Sequence, residues 1–244
     1  MFSPVYLLFV VIPGGLLSMW AQWMVKTKFA QYSKVATQKG IRGHQAAQLL
    51  LDRAGITDVK VVRVDGYLSD HYNPRTKHLA LSPPVYDSHS VAAIGVATHE
   101  AGHAIQHATG YPWLAYRSLI VPAVQYGSPI GNYAMIGGLA LMAMSGPMGS
   151  LGVYVFIFGA LAFGTLLLFQ LVTLPVEFNA SNRARALVVE AGIVNQQEVA
   201  GVAKVLNAAA MTYVAAFVQT LLTMLYFLYR SGLLNGKRRR REQT

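Results

Sequence analysis

The 244-residue chain contains no cysteine, so it can form neither a disulfide nor a thiolate metal site, and any metal must be held by histidine, aspartate or glutamate. Charge is also scarce: 12% of residues are charged and 54% are hydrophobic, a balance that excludes an ordinary soluble domain and points to lipid. Acidic residues are the scarcest, ten against twenty basic ones, which leaves a formal charge of +10. The basic excess does not imply nucleic acid, because it sits beside apolar runs or in the last residues, where contact with anionic lipid explains it better. No internal repeat or low-complexity linker divides the chain.

Long apolar runs are what the chain has in abundance. Residues 1–25 read as a first transmembrane helix, closed by Trp20 and Trp23 and followed by Lys26 and Lys28. The run is too long for a cleaved signal peptide and lacks a basic start, so it is expected to remain as an anchor. Residues 117–145 and 150–175 have uncharged interiors and read as a transmembrane hairpin around "SGPMGS", with Pro122 and Pro129 kinking its first arm. Residues 208–230 read as a fourth span, and the basic tail 231–244, with "KRRRR", is expected to be disordered. The polar residues 26–116 form an insert. In it "HQAAQLLLDRAG" has the apolar spacing of an amphipathic helix, "VKVVRV" is strand-like, and "YLSDHYNPRTKHLALS" reads as two strands around Asn73-Pro74. The expected fold is therefore mainly α and integral to the membrane, with about four transmembrane helices and a small α+β catalytic insert.

Within that insert, "ATHEAGHAIQH" holds His99, Glu100, His103 and His107. His99 and His103 lie one helical turn apart, so both imidazoles reach one ion from the same face, most suitably Zn²⁺. Glu100 cannot point the same way and flanks the ion, where it can take a proton from the attacking water and pass it to the leaving amine. His107 lies two turns from His99, roughly 12 Å along the axis, too far to share the ion, and reads as a supporting or packing histidine. Gln106 and Thr109 stand where a metzincin needs glycine and histidine, which excludes that class. A third ligand must come from elsewhere. Glu177, in "TLPVEFNASNRARAL", is a lone glutamate at the membrane border, within a helical segment 176–207 that Pro175 is expected to open. Two readings stay open for it: a ligand, or a carboxylate near a helix N-terminus paired with Arg183. Two spans separate it from His103, which puts both on one side of the membrane.

Taken in order, "LSDHYNPRTKHLALS", "VATHEAGHAIQH", "LPVEFNASNRA" and "AAAMTYVAA" resemble the YugP family of bacterial membrane zinc metallopeptidases, over nearly the whole chain apart from the tail. A more distant similarity is to the HtpX group of gluzincins, zincin-like enzymes whose second motif has the form E-x-x-A-D. The resemblance implies one zinc ion per chain held by His99, His103 and Glu177, with Glu100 as general base acting on polypeptide substrates. Ser181 stands where the gluzincin motif has aspartate, so the carboxylate that would orient a ligand histidine is missing, and Asn179 or Ser181 is left to supply a weaker bond. The resemblance also implies an edge strand that pairs with extended substrate, for which "HLALS" or "YLSDHY" is placed. His71, Asp70, Arg183 and Tyr213 are candidates for stabilising the oxyanion, each with a plainer role in a turn or at the membrane border.

Two other functions are set against peptidase. A catalytically silent zinc-containing membrane scaffold has no need of Glu100. A metal transporter needs a polar path, and Gln125, Asn132, Gln170 and Gln219 are too scattered to make one. The expected location is the plasma membrane, multi-pass. Lys26, Lys28, Lys34, Lys39, Arg117, Arg183 and Arg185 favour a cytoplasmic site, and Lys237 to Arg241 favour the opposite face.

Overall fold

Seven helices and three short strands order the described residues of the computed structural model, 3–233. The helices are α1 (Pro4–Tyr32), α2 (Gly43–Arg53), α3 (Pro83–Tyr86), α4 (Val91–Ala108), α5 (Pro112–Met142), α6 (Pro147–Glu190) and α7 (Gln196–Arg230). The strands are β1 (Lys60–Arg63), β2 (His71–Asn73) and β3 (His78–Leu81). Most of the expected basic tail, including Lys237 to Arg241, lies outside the described residues. Among the described residues, three helices are long and apolar enough to cross a membrane: α1, α6 and α7. The expected span at 117–145 corresponds to α5, which ends at Met142 and is not among these three. That helix is 31 residues long, but Gln125, Ser128 and Asn132 dilute its apolar character.

The chain divides into two compact units. One is built from residues 1–19, 116–172 and 214–244, described from 3 to 233, and is wholly helical. Its apolar core gathers Met135, Phe156, Phe163, Met224 and Phe227. Helices α5 and α6 come close enough that a side chain at Gly138 would lie 2.6 Å from the backbone nitrogen of Phe156, and one at Gly159 2.5 Å from that of Met135. Close backbone contact at small residues is how helices associate where lipid removes the hydrophobic drive.

The other unit, residues 20–115 and 173–213, holds the polar insert. Ala46, Ala47, Leu50 and Leu51 of α2 recur at helical spacing and are buried in one core with Ala97, Ala101 and Ala104 of α4. α4 starts at Ser90, whose hydroxyl accepts from the Ala93 backbone N–H as a cap. The sheet order is β1-β3-β2, with β3 parallel to β1 and antiparallel to β2. β3 is therefore paired on both sides, so "HLALS" has no free edge, whereas β2, from "YLSDHY", is an edge strand.

The structure also differs from the sequence reading at Pro175, which lies inside α6 rather than opening a helix. Proline at that position removes one N–H from the helical ladder, a loss that long apolar helices tolerate. The segment 176–207 divides where α6 ends at Glu190 and α7 begins at Gln196. Gly192, at φ +63°, provides the left-handed turn. Asn195 then accepts from the Glu198 backbone N–H while its own N–H reaches the Glu198 carboxylate, a reciprocal capping box that starts α7.

Candidate metal centre

Three side chains converge on one point. His99 and His103, four residues apart on α4, project from the same helical face, and their rings meet edge to face with centroids 4.7 Å apart. Glu177 comes from α6 on a face it shares with Ala180, Ser181 and Ala184, all buried. Glu177 Oε2 lies 3.2 Å from His99 Nε2 and 3.5 Å from His103 Nε2. One donor atom from each residue falls within 4.8 Å of the others.

What brings the helices together is Gly102, inside the histidine motif. A Cβ at that position would stand 2.8 Å from the backbone oxygen of Ala180, so only glycine lets α6 approach this closely. The contact of Gly102 with the backbone of residue 180 thus sets how closely α6 brings Glu177 to the imidazoles.

The donor set fits zinc. In a tetrahedral site with bonds of about 2.05 Å, adjacent ligand atoms are separated by about 3.3 Å. The two observed separations, 3.2 and 3.5 Å, bracket that value. Glu177 is 2% exposed, and a buried carboxylate is stable only with a compensating cation or strong hydrogen bonds. Burial alone would lower the His103 pKa, but the Glu177 and Glu100 carboxylates outweigh it and hold the imidazole above its ordinary value. The site favours a cation, whether proton or metal.

Both histidines of the cluster have a partner at Nδ1. Ser181 Oγ lies 3.1 Å from His99 Nδ1, occupying the position that the sequence left without a carboxylate. Gln106 Oε1 lies 3.0 Å from His103 Nδ1. The Gln106 amide nitrogen donates to the Val176 carbonyl and to Asn179 Oδ1, both at 2.9 Å. Asn179 thus acts on His103 through Gln106, a residue the sequence marked only as a departure from the metzincin pattern.

Glu100 is 8% exposed and lines a cavity of about 190 Å³ with His99, Glu177, Asp70, Ser181 and Tyr213. That is well above the roughly 10–15 Å³ of such space that one water needs, enough for a substrate carbonyl and an attacking water together. Apolar side chains such as Phe29, Val96 and Leu206 form much of the remaining wall. Tyr213 is therefore placed at the cavity, and so is Asp70. The Asp70 carboxylate, however, accepts from the Ser82 backbone N–H and hydroxyl, and burial raises its pKa from the ordinary aspartate value.

The other candidates face elsewhere. Arg183 donates through Nε to Asn179 Oδ1 and stands over the Tyr111 ring at 5.9 Å. His71 is exposed on β2, its Nδ1 2.8 Å from the Ser69 carbonyl oxygen. His107, in the last turn of α4, pairs through Nδ1 with the Tyr72 hydroxyl at 2.8 Å, a bond that links α4 to β2.

A buried two-histidine, one-glutamate cluster beside a second glutamate, in a chain with apolar helices of membrane-crossing length, defines the class of membrane-associated zinc peptidases. Residues 7–232 match the family described as "Putative neutral zinc metallopeptidase", and the chain belongs to that family. It is 43% identical over 230 residues, 94% of this chain and 97% of the relative, to the "Putative membrane protease YugP" of Bacillus subtilis (strain 168). No solved structure matches the chain.

Proposed function

We propose that this protein is a zinc-dependent endopeptidase of the plasma membrane that hydrolyses peptide bonds of membrane-associated or misfolded proteins. The observation that carries the reading is the meeting of Glu177 with His99 and His103, at separations from each that suit tetrahedral zinc, beside a cavity that His99, Glu177 and Glu100 line. These three residues hold one zinc ion per chain. When bound, zinc supplies Lewis acidity toward the scissile carbonyl. Glu100 takes a proton from the attacking water as the C–O bond forms, then delivers it to the amide nitrogen as the C–N bond breaks. Tyr213, on the same cavity wall, is the residue we assign to the developing oxyanion. The apolar wall receives a hydrophobic side chain of the substrate, and the edge strand β2 is available to an extended chain.

α5 serves as a fourth span, and the basic residues on the insert and the end of α6 support a cytoplasmic site, against the opposing weight of Lys237 to Arg241. Labelling of single cysteines introduced at Ser88 and Gln243 into this cysteine-free chain tests the orientation.

Glu100→Gln separates enzyme from scaffold. The protein is purified in detergent and assayed for zinc content and for cleavage of an unstructured membrane protein. Zinc is retained and cleavage stops if Glu100 is the base; continued turnover excludes the mechanism. Equal binding of the polypeptide by both forms, with cleavage by neither, supports the silent scaffold.

A further inference from the structure

We propose that Gln106 is a positioning residue for His103, fixing the imidazole tautomer whose Nε2 lone pair faces Glu177. This inference rests on the reading of His99, His103 and Glu177 as metal ligands.

The argument is one of hydrogen-bond polarity. Gln106 is fully buried, three residues beyond His103 on α4. The Val176 backbone carbonyl only accepts, so the group facing it at 2.9 Å is the Gln106 amide nitrogen. The second amide hydrogen goes to Asn179 Oδ1, whose orientation is set in turn by Arg183 Nε, a donor that never accepts, at 2.8 Å. Two independent acceptors therefore hold the Gln106 amide one way round. Its Oε1 is left facing His103 Nδ1 at 3.0 Å, and because Oε1 only accepts, Nδ1 carries the hydrogen. Nε2 is then unprotonated in the neutral ring and presents its lone pair toward Glu177 Oε2, 3.5 Å away. The reverse tautomer would set two lone pairs against each other at Nδ1 and turn an N–H into the cluster.

His99 has no such constraint. Its Nδ1 partner is the Ser181 hydroxyl, which donates or accepts as required. The two ligand histidines are thus held unequally: one by a rotatable hydroxyl, the other by an amide whose polarity is anchored in α6 through Val176, Asn179 and Arg183. Both ends of the anchor lie on the helix that delivers Glu177, so the same α4–α6 contact brings in the carboxylate and orients His103.

The test uses the full chain in detergent, with zinc affinity measured by competition against a chromophoric chelator and imidazole states read by ¹⁵N-histidine NMR of the zinc-loaded protein. Gln106→Leu is expected to weaken zinc binding by about 10- to 100-fold. It should also abolish the slowly exchanging Nδ1 proton of His103, while circular dichroism of the metal-free protein keeps its helical signal. Asn179→Ala removes one of the two anchors and is expected to weaken binding a few-fold, with faster exchange of the same proton. His103→Ala should lose the site; wild-type affinity in that variant would overturn the metal assignment itself. Loss in His103→Ala but wild-type affinity and an unchanged Nδ1 signal in Gln106→Leu would overturn the role of Gln106 alone. If Gln106→Leu does not fold, the same pair of readings on Asn179→Ala decides.

Discussion

Gly102→Ala is the smallest change that probes how the centre is assembled. The added methyl would sit 2.8 Å from the Ala180 backbone oxygen and 3.3 Å from its Cα, where an ordinary contact is 3.4–4 Å. Relief demands a displacement of about half an ångström between α4 and α6, beyond the roughly 0.2 Å within which metal–ligand distances hold. Overpacking of this kind costs about 1–3 kcal/mol, and if the cost falls on the ligand geometry it corresponds to about a 5- to 150-fold loss of zinc affinity. Helix propensity works the other way, since alanine stabilises a helix interior over glycine by about 1 kcal/mol. The variant is therefore expected to keep a near wild-type melting temperature without metal, yet to bind zinc much more weakly. Gly95→Ala is the matched control: its Cβ would meet Val202 at 3.5 Å, an ordinary contact on the same helix, so it gains the propensity without the clash. Chelator competition and thermal melting of both variants, with and without zinc, provide the comparison. Wild-type zinc affinity in Gly102→Ala would refute the claim that this close approach sets the ligand geometry.

Two further outcomes are expected from the cavity. Tyr213→Phe should lower kcat by about 10²- to 10³-fold with little change in KM if the hydroxyl stabilises the oxyanion, and an unchanged kcat would remove it from that role. At Asp70, burial raises the carboxyl pKa, so the folded state binds the proton more tightly than the unfolded state. Stability is then gained as pH falls through the raised value and lost as pH rises through it. Asp70→Asn should flatten the melting temperature against pH on the alkaline side of an ordinary aspartate's titration; an unaltered profile would contradict the burial argument.

The parts legible in the sequence were those governed by local spacing. The i, i+4 geometry of His99 and His103 follows from helix period alone, and the helix and strand content of the insert follows from its alternating patterns. Glu177 could be singled out because carboxylates are so rare in this chain, but its meeting with the histidines depends on a contact between α4 and α6. Gln106 was not legible: its significance arises from the Val176 carbonyl, 70 residues away in sequence. The middle position of β3 was equally hidden, because a parallel pairing with β1 carries no turn signature. Helix period likewise kept His107 from sharing the ion, but its partner, the Tyr72 hydroxyl on β2, lies 35 residues away in sequence and carried no local signal.

X-ray absorption at the zinc edge of the purified full-length protein, alongside its metal content, tests the central claim most directly. The account predicts one zinc per chain with two imidazole nitrogens and a carboxylate oxygen at about 2.0–2.2 Å, no sulfur, and loss of the signal in Glu177→Ala but not in Glu100→Gln. Full zinc occupancy with the same ligand shell in Glu177→Ala would contradict it.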